Sequence, residues 1–335
     1  MFKRRVFKRN EFYLFIVLLL FSAVLTGINP SFFTFENLFD LIKSSAGMAL
    51  LALGVFIVLL SGGIDVSFTA IAIAGQYVSV NVLIATGIDN IYFALLISCL
   101  LGISLGAINA LLISIFELPT LITTLGTLNL FHGALLTFIG TKAINVGGLP
   151  DSFKVFGAKN VFNLVKADGT TYGLSIYALI LLGIVVLTWI ILRFTMLGRG
   201  IYAIGGNREA ARRAGFNIVG IQIFIYCYVG FLAGIMGVMH VSLIRYSNPL
   251  YIVGDELGVI AAVVLGGARI TGGSGSIIGT LLGVAMIIVL EKNLILMGLS
   301  SYWHQFFIGM IIIIGVSITY YQSKLRAKRS LMYLR

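Results

Sequence analysis

"FYLFIVLLLFSAVLTG", residues 12–27, runs for sixteen positions without a charged side chain. About 20 such residues in a helix cross the roughly 30 Å hydrocarbon core of a bilayer. A surface helix of a soluble domain keeps one polar face instead. The preceding MFKRRVFKRN is basic, so this start also fits a signal peptide. The run is long for that role and no small-x-small cleavage site follows it, so it reads as a retained first helix.

The pattern continues along the chain. Apolar runs occupy 44–62, 65–86, 91–116, 118–140, 175–192, 217–240, 274–290 and 302–321, with a shorter one near 257–268. The 335 residues are 59% hydrophobic and 10% charged, with a mean hydropathy of +1.06; a soluble domain carries roughly 25% charged residues. The sequence predicts an all-α polytopic membrane protein of about ten transmembrane helices, forming one domain over 1–335.

The net charge of +11 does not mark a nucleic-acid partner, because the basic residues are grouped: five in 3–9, five in 193–213 and five in 324–335. Lys and Arg collect on the cytoplasmic side of membrane proteins. Both termini and the 195–218 loop are therefore expected in the cytoplasm, which requires an even number of spans in total and before residue 195; ten and six satisfy both. The 141–174 segment, with four lysines and two aspartates, becomes an external loop. Residues 28–44 fall outside too, as an interfacial helix or an ordinary connection.

Cys99 and Cys227 both sit inside spans and suggest packing, not a disulfide. His132, His240 and His304 lack metal-ligand spacing, so no metal site is expected. Two glycine-rich passages echo each other: LGVFIVLLSGGIDVS from Leu53 and LGVIAAVVLGGARIT from Leu257. Their alignment sets Asp65 against Arg269. Charges in hydrocarbon are costly, so both are expected near the cytoplasmic mouth of a central path, paired with each other, or at the membrane edge. Gly275, Gly279 and Gly283 recur every fourth residue, as do Gly102 and Gly106, a spacing that lets helix backbones approach closely.

One stretch breaks the apolar pattern. In GRGIYAIGGNREAARRAGFNI, 198–218, Asn207 is suited to cap a helix and Gly215 to stop it, with the helix formers Glu209, Ala210 and Ala211 between them. The segment predicts a short cytoplasmic helix. It carries no nucleophile with a base, no carboxylate pair and no phosphate-cradling signature, and reads as a surface held by another protein or as a basic loop fixing orientation.

This stretch resembles the cytosolic coupling segment of permease subunits in bacterial ABC importers of ribose and other simple sugars. LSGGIDVS at 60–67 resembles that family's Gly-Gly-Ile-Asp-Leu-Ser motif, and LPTLITTLGTLNLFHG at 118–133 is similar to its Thr-Leu-Gly-Thr segment. ELGVIAAVVLGGARITGGSGSIIGTLLG at 256–283 resembles its Glu-Leu to Gly-Gly stretch. The chain departs from the family at Ser67-Phe68-Thr69, where Ser-Val-Gly is usual, and at His132, where members often carry arginine.

The resemblance implies a non-catalytic subunit of the bacterial inner membrane, dimerised around a central path as a homodimer or with a related permease. A soluble binding protein would load it, and a cytosolic ATPase holding ATP and Mg²⁺ would drive it, gripping Asn207, Arg208, Glu209, Ala210, Ala211 and Gly215. Path candidates are polar or path-shaping residues in apolar spans, Asp65, Ser67, Phe68, Gln76, Asn129, His132 and Arg269, with Asn81, Asn109, Thr123 and Thr124 as further ones; intramembrane Asn and Gln also bond neighbouring helices. Other cargoes fit the same architecture: a nucleoside, a branched-chain amino acid or a sugar-derived signalling molecule. An ion-coupled transporter would have to use Asp65, Arg269 and Glu291, with Glu256 expected near an external end.

Overall fold

A computed structural model describes residues 10–166 and 169–296, together with 303, 305–310, 313 and 317. The helices are α1 (Asn10–Ile28), α2 (Phe35–Leu60), α3 (Phe68–Thr86), α4 (Ile91–Ser114), α5 (Thr120–Ala134), α6 (Asp151–Ala158), α7 (Ile176–Phe194), α8 (Met196–Gly206), α9 (Arg208–Arg213), α10 (Ile218–Ile244), α11 (Glu256–Leu265) and α12 (Ile277–Leu296). A π-helical turn, Leu135–Ile139, prolongs α5.

Seven of these are long and apolar enough to cross a membrane: α1 to α5, α7 and α10. Six of the seven precede residue 195. α12 has 20 residues, whereas α11 has only ten, about 15 Å of helix and half a bilayer. Of the span expected over 302–321, Trp303, 305–310, Ile313 and Ser317 are helical and the rest lies outside the described residues, as do the basic clusters at 3–9 and 324–335 and His304.

The 28–44 segment differs from both expectations. After a 3₁₀ turn at Pro30–Phe33, Thr34 caps α2 by accepting from the Asn37 N–H at 3.3 Å, and the helix then runs unbroken for 26 residues. Its first turns are held by a hairpin that hydropathy did not reveal: β1 (Asn160–Val165) pairs antiparallel with β2 (Thr171–Ser175). Phe39 meets Phe162 and Tyr172 with ring centroids 5.7 and 6.2 Å apart, and Lys166 bonds Glu36. The strands carry Val161, Phe162, Val165, Thr171 and Tyr172, residue types that favour extended chain.

α10 stands at the centre, packed on α4, α3 and α2. Small residues let the backbones touch. A Cβ on Gly102 would lie 2.1 Å from the Gly230 carbonyl oxygen, and one on Gly230 would lie 2.0 Å from that of Gly102. One turn away, the Ser98 hydroxyl donates to the Gly234 carbonyl at 2.7 Å; a turn the other way, Gly106 faces the Tyr226 carbonyl. The row at 275, 279 and 283 lies against α11 and its exit, where a Cβ on Gly279 would meet Gly266 O at 2.1 Å and one on Gly283 would meet Ala262 O at 2.0 Å.

Candidate functional site

The polar middle of the chain folds as two short helices. Thr195 caps α8 through Gly198 N–H at 3.2 Å, and Ile201 and Ile204 bury its inner face. Asn207 then ends α8 and caps α9, its Oδ1 accepting from Ala210 N–H at 2.9 Å. Ala211 is the buried residue of α9, while Asn207, Glu209, Ala210 and Gly215 are exposed. Gly215 stops the helix with a φ of +85°. Glu117, in the loop between α4 and α5, stands 3.5 Å from Arg208 and 3.6 Å from Arg212. α8 did not stand out as a separate helix, because its four glycines, at 198, 200, 205 and 206, read as loop.

The end of α8 is welded to the interior. A Cβ on Gly205 would sit 1.8 Å from the Leu60 carbonyl oxygen, at the last residue of α2, and 2.6 Å from Gly273 N. Gly273 N–H donates to that same carbonyl at 2.9 Å. Gly272, with a φ of +88°, comes so near Gly62 that a Cβ would lie 2.8 Å from its backbone. Both glycine-rich passages thus end in turns that meet each other and α8. This contact, three chain segments deep in backbone, was beyond reach of any one local pattern.

Immediately beyond this junction the chain turns inward. Asp65 Oδ1 accepts from the Ser67 N–H and hydroxyl, both at 2.7 Å, and Asn109 Nδ2 donates to the same hydroxyl at 2.7 Å. Thr120 and Thr124 of α5 bond the backbone of Ile64 and Val66. Asp65, Ser67, Phe68 and Asn109 are all buried. Asp65 Oδ2 and Asn109 Oδ1 have no hydrogen-bond partner among the described residues, which leaves two acceptors spare inside the bundle.

The pairing of Asp65 with Arg269 is not formed. Asp65 spends its bonds on Ser67, and half-buried Arg269 joins no ion pair among the described residues; its backbone N–H donates to Ser274 O at 3.0 Å. Glu256, the other acid of this region, is held inside the bundle. It is buried at the start of α11, where it accepts from the hydroxyl of Thr69 on the first turn of α3 and from Gly254 N–H at 3.0 Å. An acid closing the top of a ten-residue helix satisfies donors that have no water to turn to.

The other candidates are dispersed. Gln76 is buried and its Oε1 faces His240 Nδ1 at 3.0 Å. His132 Nε2 donates to the Pro249 carbonyl at 2.9 Å, tying α5 to the segment before α11. Asn129 is exposed on α5, its amide donating to the Leu125 carbonyl within its own helix at 2.9 Å. Among the described residues no group of three His, Cys, Asp or Glu is placed to hold a metal.

A bundle of apolar helices with one helix broken in the bilayer, a buried polar cluster at the break and a polar segment clamped to it defines a multi-pass membrane permease. The chain belongs to the branched-chain amino acid transport system / permease component family, which matches residues 37–316. It is 31% identical to the ribose import permease of Escherichia coli K12 over 90% of this chain and 91% of that protein. It is 34% identical to the ribose import permease of Bacillus subtilis 168 over 90% of each. With the autoinducer 2 import system permease of Enterobacter sp. strain 638 it shares 31% identity over 99% of this chain and 93% of the other. No solved structure matches.

Proposed function

We propose that this chain is the transmembrane subunit of a binding-protein-dependent importer of the bacterial inner membrane, moving a simple sugar or sugar-like molecule into the cytoplasm. ATP and Mg²⁺ are held by a cytosolic ATPase that grips α9, and a soluble binding protein delivers cargo at the opposite face, where the β1–β2 hairpin stands. Both termini are cytoplasmic on this reading. The single observation that carries it is the glycine junction: α8 touches the end of α2 and the exit of α11 backbone to backbone. A push on α9 is therefore delivered to the Asp65 cluster without a flexible side chain in between.

A second copy, or a related permease, completes the path. The exposed face of α5 favours this side for it: Ile122, Leu125, Gly126, Asn129 and Leu130 look outward, and nothing lies within 4 Å of a Cβ added at Gly126 or Gly133. An amide facing acyl chains is costly, whereas against a second helix it finds partners. The similar identity to ribose permeases, 31% and 34%, and to the autoinducer 2 permease, 31%, supports two cargo readings, and uptake of each labelled compound by expressing cells separates them.

The decisive test is affinity purification from the native membrane. Recovery of an ATPase, lost on altering 207–215, is expected; a chain that comes out alone and still transports after reconstitution defeats the importer reading. Glu209→Lys reverses an exposed charge beside Arg212, 3.6 Å away, and is expected to leave insertion intact while ATP hydrolysis continues without uptake.

A further inference from the structure

α9 is six residues long and buries one of them, Ala211, so little of its own surface anchors it. A charged contact reaches it from the loop between α4 and α5. Glu117 Oε1 stands 3.5 Å from Arg208 and 3.6 Å from Arg212, two residues four positions apart and therefore on one side of the helix. Among the described residues these are the ion pairs that α9 makes beyond itself; its third joins Arg212 to Glu209.

Glu117 is held in an unfavourable backbone. Its φ is +52°, in the left-handed region where a Cβ crowds the following carbonyl and glycine is at ease. The loop is pinned in this shape, with Leu118 N–H donating to the Leu112 carbonyl at 3.3 Å and Pro119 next in the chain. On the other side of the contact, Arg208 Nε is buried and has no hydrogen-bond partner among the described residues. Two local costs meet at one ion pair, and strained or unsatisfied groups concentrate where a folded chain does its work.

The same loop leads to the Asp65 segment. Three residues past Glu117, Thr120 opens α5 and its hydroxyl accepts from Ile64 N–H at 3.1 Å. One turn further, the Thr124 hydroxyl accepts from Val66 N–H at 3.4 Å and donates to the Ile64 carbonyl at 3.3 Å. α9 thus reaches residues 60–67 by two routes: through α8 at Leu60 and Gly62, and through Glu117 and α5 at Ile64 and Val66. The routes differ in kind. The glycine junction is backbone on backbone, whereas the side chains of Glu117, Arg208 and Arg212 are 38% to 64% exposed, and ion pairs so exposed are weak. The first is rigid; the second can open and re-form.

We propose that Glu117 is a positioning residue for coupling, a releasable strut that sets α9 against α5 so that displacement of α9 acts on both ends of the Asp65 segment. The inference rests on the importer reading. Proteoliposomes carrying the complete transporter, with ATP inside and the binding protein outside, are given labelled D-ribose or autoinducer 2. Glu117→Gln removes the charge and keeps the shape; Glu117→Gly removes the side chain and relaxes the backbone. In both, uptake per ATP hydrolysed is expected to fall about fivefold, the scale of one exposed ion pair, while the ATPase is retained on purification and the thermal midpoint holds. Native uptake per ATP in both variants overturns the strut and leaves the importer standing. A thermal midpoint that falls in step with uptake would make Glu117 structural, and loss of the ATPase from Glu117→Gly would make it part of the ATPase's grip; either result also overturns the positioning role. If the native chain supports no ATP-driven uptake of either compound, the sugar-importer reading fails and the role of Glu117 falls with it.

Discussion

α7 and α10 look alike in sequence, both long and apolar, and the structure uses them in opposite ways. Some 67% of the apolar span of α10 is buried, against 22% for α7. In lipid, apolarity does not sort helices into inside and outside, because acyl chains are as apolar as leucine. Backbone proximity does the sorting. α10 offers Gly230, Gly234 and Gly237, and each would drive a Cβ within 2.6 Å of a neighbouring backbone oxygen, at Gly102, Ser98 and Ala72. α7 offers Gly183, with nothing within 4 Å.

The largest expected effect tests that contrast directly. Gly230→Leu forces α4 and α10 apart where no side chain can yield, and overpacking alone costs about 1–3 kcal/mol or more. Loss of monodisperse protein in detergent is expected, with Gly183→Leu indistinguishable from the native chain. Equal behaviour of the two variants would mean that α10 is not the centre. Next in size, Ser67→Ala removes the hydroxyl shared by Asp65 and Asn109. Leaving buried polar groups unsatisfied costs about 1–3 kcal/mol, to be read as a lower thermal midpoint. Asn129→Leu on exposed α5 is expected to show no such fall in the isolated chain.

The smallest effect lies outside the bundle, in the loop between α3 and α4. Hydrogen bonding from Ser152 holds the Asp89 carboxyl below its ordinary 3.8, with the Ser152 N–H at 2.9 Å. A lowered carboxylate stabilises above its unfolded pKa, and the benefit disappears as pH falls through the folded value. Asp89→Asn should therefore lose slightly in thermal midpoint at neutral pH and nothing near pH 2. A difference that persists undiminished in acid would point to a role other than charge.

Much of the fold was legible because hydropathy reports partition into lipid. The six spans before residue 195, the cap at Asn207, the stop at Gly215 and the close-packed glycine rows could all be read locally. What escaped depended on contacts distant in sequence. Glu256 and Thr69 are 187 positions apart, so no periodicity relates them. Asp65 and Arg269 invited pairing by their opposite charges, yet Ser67, two residues from Asp65, takes its Oδ1 and Arg269 makes no ion pair with it. His240 showed no metal-ligand spacing, and only the structure sets it against Gln76, 164 positions away.

α11 has a consequence for how the chain is made. Ten residues carry too little greasy length to leave the translocation machinery and settle in a bilayer unaided. Lodged between α2 and α12, with Glu256 bound by Thr69, it finds its depth from helices synthesised both before and after it. Residues 245–276 must therefore wait at the membrane until α12 emerges, and are set in place by helices made on either side of them.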